Sequence, residues 1–191
     1  MRRVFRALGR FCSDARAFLL VSLLVAGCGG AHTQAPCPAV VPAHEPVRVI
    51  LEGGDDAAAT KKLAEFLSAH GFAIVAREEN ALGVQYQGIS AVLVPKLDPG
   101  RGIDRIVVTR VFAPKEAYRG KPPVAELATK LNHRLNIAQF WVHENGNLMM
   151  TTHLTFLNEL RLAWVAAFFD WLKANAAQMA AVVPETLEVL H

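Results

Sequence analysis

The dipeptide Asn145-Gly146 separates two runs, 137–144 and 147–156, that are rich in Ile, Phe, Trp, Val, Leu, Met and Thr. Asn-Gly between such runs is a strong hairpin signal, because the turn that matches strand twist needs positive φ, which Gly adopts at no steric cost. With Gly146 in the left-handed position of a G1 bulge, Phe140, Val142, Leu148, Met150 and Leu154 fall on one face. Trp141, Met149, His143, Thr151 and His153 fall on the other, with Trp141 beside Met149. A slip of one residue would turn the apolar set to solvent, so the pattern specifies this register. A lone hairpin is marginal in water, and the rest of the chain has to supply more strands and a covering layer.

The covering layer is legible as three helices. Asp55 or Asp56 caps the first, whose stripe is Ala59, Leu63, Phe66 and Leu67, and Gly71 sits where it should stop. Pro122-Pro123 opens the second, where a missing N–H costs least, and Val124, Leu127, Ala128, Leu131 and Leu135 form its inner face. The third spans about 158–182, with a frayed tail from Pro184. Between the first two helices, 72–78, 83–97 and 103–112 read as three strands of a meander, divided by Asn80 and by the turn 98–102. The order is αβββαββα, an α+β fold in which helices pack on a largely antiparallel sheet.

The third helix has an unusually wide apolar arc. Leu157, Leu160, Trp164, Phe168 and Trp171 make one stripe, while Leu162, Val165, Phe169, Leu172 and Met179 make a second about 100° round the axis. Either the helix lies deep in the core, or its second stripe meets another molecule: a second copy, a client segment or an acyl chain. The candidate partner- or ligand-binding residues are therefore Leu162, Val165, Phe169 and Leu172, with Trp141 and Met149 on the outer hairpin face as a lesser set.

The first 46 residues stand apart from this fold. Arg2, Arg3, Arg6, Arg10 and Arg16 precede an apolar run that ends at Gly27-Cys28, the layout of an export signal. Residues 17–27 are eleven in number, too short for the roughly 20 that span a bilayer. Leu24-Val25-Ala26-Gly27-Cys28 resembles the lipobox of bacterial lipoproteins. That resemblance implies removal of residues 1–27, lipidation of Cys28 and, with Gly29 next to it, sorting to the periplasmic face of an outer membrane. Residues 28–46 hold four prolines and no apolar periodicity, so they read as a stiff tether, reaching roughly 50 Å at about 3.1 Å per residue. The domain proper is 47–191. Cys37 is left as a single thiol, which excludes an internal disulfide.

Charge and composition narrow the chemistry. Five of the 20 basic and one of the 17 acidic residues precede Cys28, leaving 15 against 16 and a net charge of −1 with His neutral. Neither that balance nor the compartment suits nucleic acid. Beyond residue 28 only Ser68 and Ser90 remain as serines, and Gly88-Ile89-Ser90-Ala91 lacks the second glycine of a nucleophile elbow. Cys37 lies in the tether, away from any base. No two histidines stand at HxH or HxxxH spacing, so neither a metal nor a cofactor is expected. Gly100-Arg101-Gly102 joins strands rather than opening a helix, unlike a phosphate cradle. Between Lys96 and Arg134, nine basic residues face four acidic ones, an excess suited to anionic lipid or an acidic partner.

Leu131-Asn132-His133-Arg134, leading into Phe140-Trp141-Val142 and Glu144-Asn145-Gly146-Asn147-Leu148, resembles the YbjN-like family of bacterial sensory transduction regulators. Element order extends the likeness over most of 57–183. The resemblance implies a type III secretion chaperone-like fold and a non-catalytic module that binds proteins; its partners do not carry over, and a homodimer or a protein partner is expected from the wide apolar arc of the last helix instead. Two features depart from the family pattern: the lipoprotein anchor, and an acidic turn reduced to Glu144. The expected function is envelope sensing, regulation or chaperoning. A carrier or sensor of an apolar small molecule, with its pocket between the final helix and the sheet, is the alternative.

Overall fold

The computed structural model describes residues 45–51, 55–98, 100 and 104–190. The signal segment 1–27, Cys28, Cys37 and most of the tether lie outside the described residues, as does Arg101. A short strand β1 (Arg48–Ile50) leads to helix α1 (Asp56–Ala69). The Asp55 carboxylate caps α1 by accepting from the backbone N–H of Ala57 at 2.9 Å and of Ala58 at 3.3 Å, and Gly71 leaves the helix at φ +85°. Four strands follow, β2 (Ala73–Glu78), β3 (Ala81–Tyr86), β4 (Ile89–Lys96) and β5 (Asp104–Phe112), then helix α2 (Pro122–Arg134). Strands β6 (Gln139–Val142), β7 (Leu148–Phe156) and β8 (Glu159–Arg161) precede α3 (Leu162–Val182) and α4 (Glu185–Leu190).

The fold is mixed α+β with antiparallel sheets. Strands β2-β3-β4-β5-β7-β6 form one six-stranded sheet, and β1 pairs with β8 in a separate two-stranded ribbon. The hairpin has the expected register, Trp141 opposite Met149 and Phe140 opposite Met150, and Gly146 is left-handed at φ +81°. All four described helices contribute to one apolar cluster with the sheet face that carries Leu82, Leu93, Val108, Phe140 and Met150. The opposite face holds a smaller cluster of Ala81, Val92 and Val94, backed by Val75, Ala76 and Val107, with no described helical residue in it.

Four local features differ from the sequence reading. The stretch 83–97 is two strands, not one, because Gln87 and Gly88 both take positive φ, 48° and 79°, in a two-residue reversal. The closing helix starts at Leu162 rather than 158: Asn158 turns back at φ 58°, and Glu159–Arg161 becomes a strand against β1. That partner strand β1 was not expected at all. Finally, the tail after Pro184 is not frayed. It forms α4, with Val189 and Leu190 buried, and the Val189 carbonyl accepts from the Lys115 backbone N–H at 2.9 Å.

Candidate functional site

Of the two readings of the final helix, its second stripe takes burial in the core. Val165, Phe169, Leu172 and Met179 are buried against the sheet, and Leu162 is half-buried. The Phe169 ring stands edge-on to Phe72 at 5.4 Å and to Tyr86 at 5.9 Å, while the Arg110 guanidinium donates to the Leu172 carbonyl. Val165, Phe169 and Leu172 are therefore core residues, not a partner-facing stripe. Met149, only 1% exposed, presents no surface either. Trp141 is 38% exposed, with its indole N–H donated to Thr151 Oγ1 at 3.1 Å.

Of the other stripe, Leu160 is buried and Phe168 and Trp171 are half-buried against the core; only its first members, Leu157 and Trp164, stand outside, at the end of the domain where the described chain begins. Trp164 is 42% exposed and Leu157, next to the left-handed Asn158, 63%. Val47, just before β1, and Ile50 at its end are also exposed. The Arg161 guanidinium lies over the Trp164 ring at 4.9 Å. Glu159 receives Arg161 Nε at 2.8 Å and Arg48 Nη1 at 2.5 Å, and these hydrogen bonds, Arg161's first, hold its carboxyl below the usual carboxylate range. Trp164 stands between two open clefts. One, of about 640 Å³, runs along Thr155, Leu157, Glu159 and Arg161; the other, of about 430 Å³, has Val47, Phe72, Tyr86 and Leu162 in its wall.

The two edges of the six-stranded sheet are finished differently. At β6, Asn132 Nδ2 donates to the Phe140 carbonyl at 2.7 Å, and the Phe140 N–H donates to Asn132 Oδ1 at 2.8 Å. One side-chain amide thus takes the place of a neighbouring strand, and α2 closes that edge. This gives a structural reason for the Leu131-Asn132-His133-Arg134 stretch leading into Phe140. At β2, no further strand pairs on the outer side among the described residues. Beside it a cleft of about 500 Å³ runs between strand and helix, lined by Ala64, Ser68, Ala69, Ile74, Arg77 and Glu65. Nothing in the hydrophobic period of 72–78 distinguishes an open edge from an inner strand, so the sequence reading missed this groove.

Much of the basic excess between Lys96 and Arg134 is tied into the fold. Lys96 pairs with Asp56 at 2.5 Å and Lys130 with Glu185 at 2.7 Å, and Lys115 Nζ donates to the Leu187 carbonyl at 3.3 Å. The Lys130 pair holds Glu185 below the ordinary carboxylate range. Among the described residues no three His, Cys, Asp or Glu side chains gather as a metal site, and no helix is long and apolar enough to cross a membrane. No family model matches the chain, and no curated protein matches it.

Proposed function

We propose that this protein is a lipid-anchored, non-catalytic binding module of YbjN-like, type III secretion chaperone-like fold, which holds an extended segment of a partner protein in envelope sensing or chaperoning. The observation that carries this reading is the asymmetry of the sheet edges. Asn132 closes β6, whereas no strand among the described residues pairs on the outer side of β2, next to the Ile74 groove. Strand addition draws affinity from main-chain hydrogen bonds and selectivity from a pocket for alternate side chains, and that edge and groove supply both. The shifted carboxylates, Glu159 and Glu185, are partners in exposed ion pairs that join elements of the fold, which suits a binding scaffold better than proton-transfer chemistry.

A photo-crosslinking residue at Arg77 in the full chain, in its native envelope, tests this. The expected outcome is one discrete protein adduct, of a partner or a second copy, that disappears when Ala69→Trp fills the groove. The same probe at Gln139 on the closed edge should give none. Equal adducts from both positions, or an adduct insensitive to Ala69→Trp, would remove the β2 edge as the binding surface.

A further inference from the structure

We infer that the end of the domain carrying Trp164, Leu157 and Val47 docks on the lipid surface in which the chain is anchored, so that the domain lies with this end against the bilayer and the β2 edge free. The inference rests on the lipoprotein reading of Cys28 for its local concentration, but not for its chemistry.

Position is the first argument. Eighteen residues separate Cys28 from Val47, and Val47 lines the same cleft as Trp164. The tether thus enters at the end that bears Val47, Ile50, Leu157 and Trp164, four of the eight large hydrophobic residues exposed among the described ones. A span of roughly 50 Å confines that end to a small hemisphere above the membrane, at an effective concentration on the order of millimolar. A contact too weak to bind a free protein is occupied under those conditions.

The chemistry fits an interface rather than a dry core. An indole half in water, with a guanidinium stacked on it, is the amphipathic pair that partitions to headgroup level, where the ring meets acyl carbon and the cation meets phosphate. Arg48 and Arg161 share the single Glu159 carboxylate, and Glu45 is the other acidic neighbour of Arg48. The local balance is thus neutral, so an anionic leaflet does not repel it. Open clefts on both sides leave Trp164 standing as a wedge, with room for lipid beside it.

The test uses vesicles of phosphatidylethanolamine and phosphatidylglycerol with brominated acyl chains. The mature lipidated chain carries Trp141→Phe and Trp171→Phe, so that Trp164 alone emits. The same chain made without its first 28 residues is titrated with excess vesicles. Docking predicts bromine quenching of Trp164 in both forms, removed by Leu157→Glu, a change at an exposed position. An environment-sensitive dye on Leu157→Cys, in a Cys37→Ser background with all tryptophans native, gives a second readout, expected to shift to the blue on lipid. If the lipidated chain floats with the vesicles while Trp164 stays unquenched and the dye unshifted, docking is overturned and anchoring stands. If the full chain fails to float but the shortened form is quenched at high lipid, docking stands and the anchor reading fails. A dye shift caused by a bound protein and not by lipid would also overturn it.

Discussion

Asn132 and Asn175 place the same side chain on two helices of one core, with opposite consequences. Asn132 exchanges two hydrogen bonds with the backbone of Phe140. Asn175 is fully buried among the residues that face the sheet, and neither atom of its amide meets a hydrogen-bond partner. Asn132→Ala strips partners from a part-buried N–H and C=O and should cost about 1–3 kcal/mol. Asn175→Leu, of similar volume, removes a desolvated amide and should be neutral or stabilising by about 1 kcal/mol. Urea unfolding of both variants decides; an Asn175→Leu loss as large as that of Asn132→Ala would sink the contrast. The pattern of 122–134 shows a helix but cannot show which amide meets a strand. Gly146 is similar: its positive φ was legible, while its packing was not, since a Cβ there would lie 2.6 Å from the Gly120 nitrogen.

At the scale of elements, what carried periodicity or a strong breaker was readable, and what depended on a distant partner was not. Asp55, Gly71, Pro122-Pro123 and Asn145-Gly146 mark their boundaries by local chemistry. Gln87-Gly88 lacks the usual Asn or Asp at the first turn position, and 83–97 therefore read as one strand. The ribbon of β1 and β8 has only three residues a side, with Val49 and Leu160 turned inward and Arg48 and Glu159 outward, so neither segment announces itself. Its outer side depends on ionised Glu159. Because the folded carboxyl titrates below the unfolded one, the ion pairs stabilise the ribbon above the ordinary carboxylate range, and that contribution is lost as pH falls through the depressed value. Amide exchange of 48–50, referenced to β5, should therefore lose protection in acid. Glu159→Gln should start lower and change little across that interval. Protection independent of pH in the native chain would assign the ribbon to the burial of Val49 and Leu160 alone.

For the molecule as a whole, the question is whether the β1–β8 ribbon, the helices and the last helix at 185–190 are separable parts. One apolar cluster runs from Val49 on the first strand to Leu190 in the last helix and takes in residues of every described helix. Contacts of this reach make unfolding cooperative, because no subset buries enough apolar surface alone. Helix α4 is bound to that body by Val189 and Leu190, by Lys130 on Glu185, and by the Tyr118 hydroxyl donating to Glu188 at 2.8 Å. Burying a Val or Leu side chain is worth about 1.5–3 kcal/mol, whereas solvent-exposed ion pairs and hydrogen bonds add little. Truncation before Glu185 should thus cost about 3–5 kcal/mol. The loss should appear as one lower urea midpoint shared by tryptophan emission and circular dichroism. If the tail were an independent appendage, the midpoint would not move. If the domain were two units, the two probes would separate. A common, lowered midpoint is the outcome that the single shared core requires, and it would mean that the last six described residues stabilise the strand at 48–50, near the other end of the described chain.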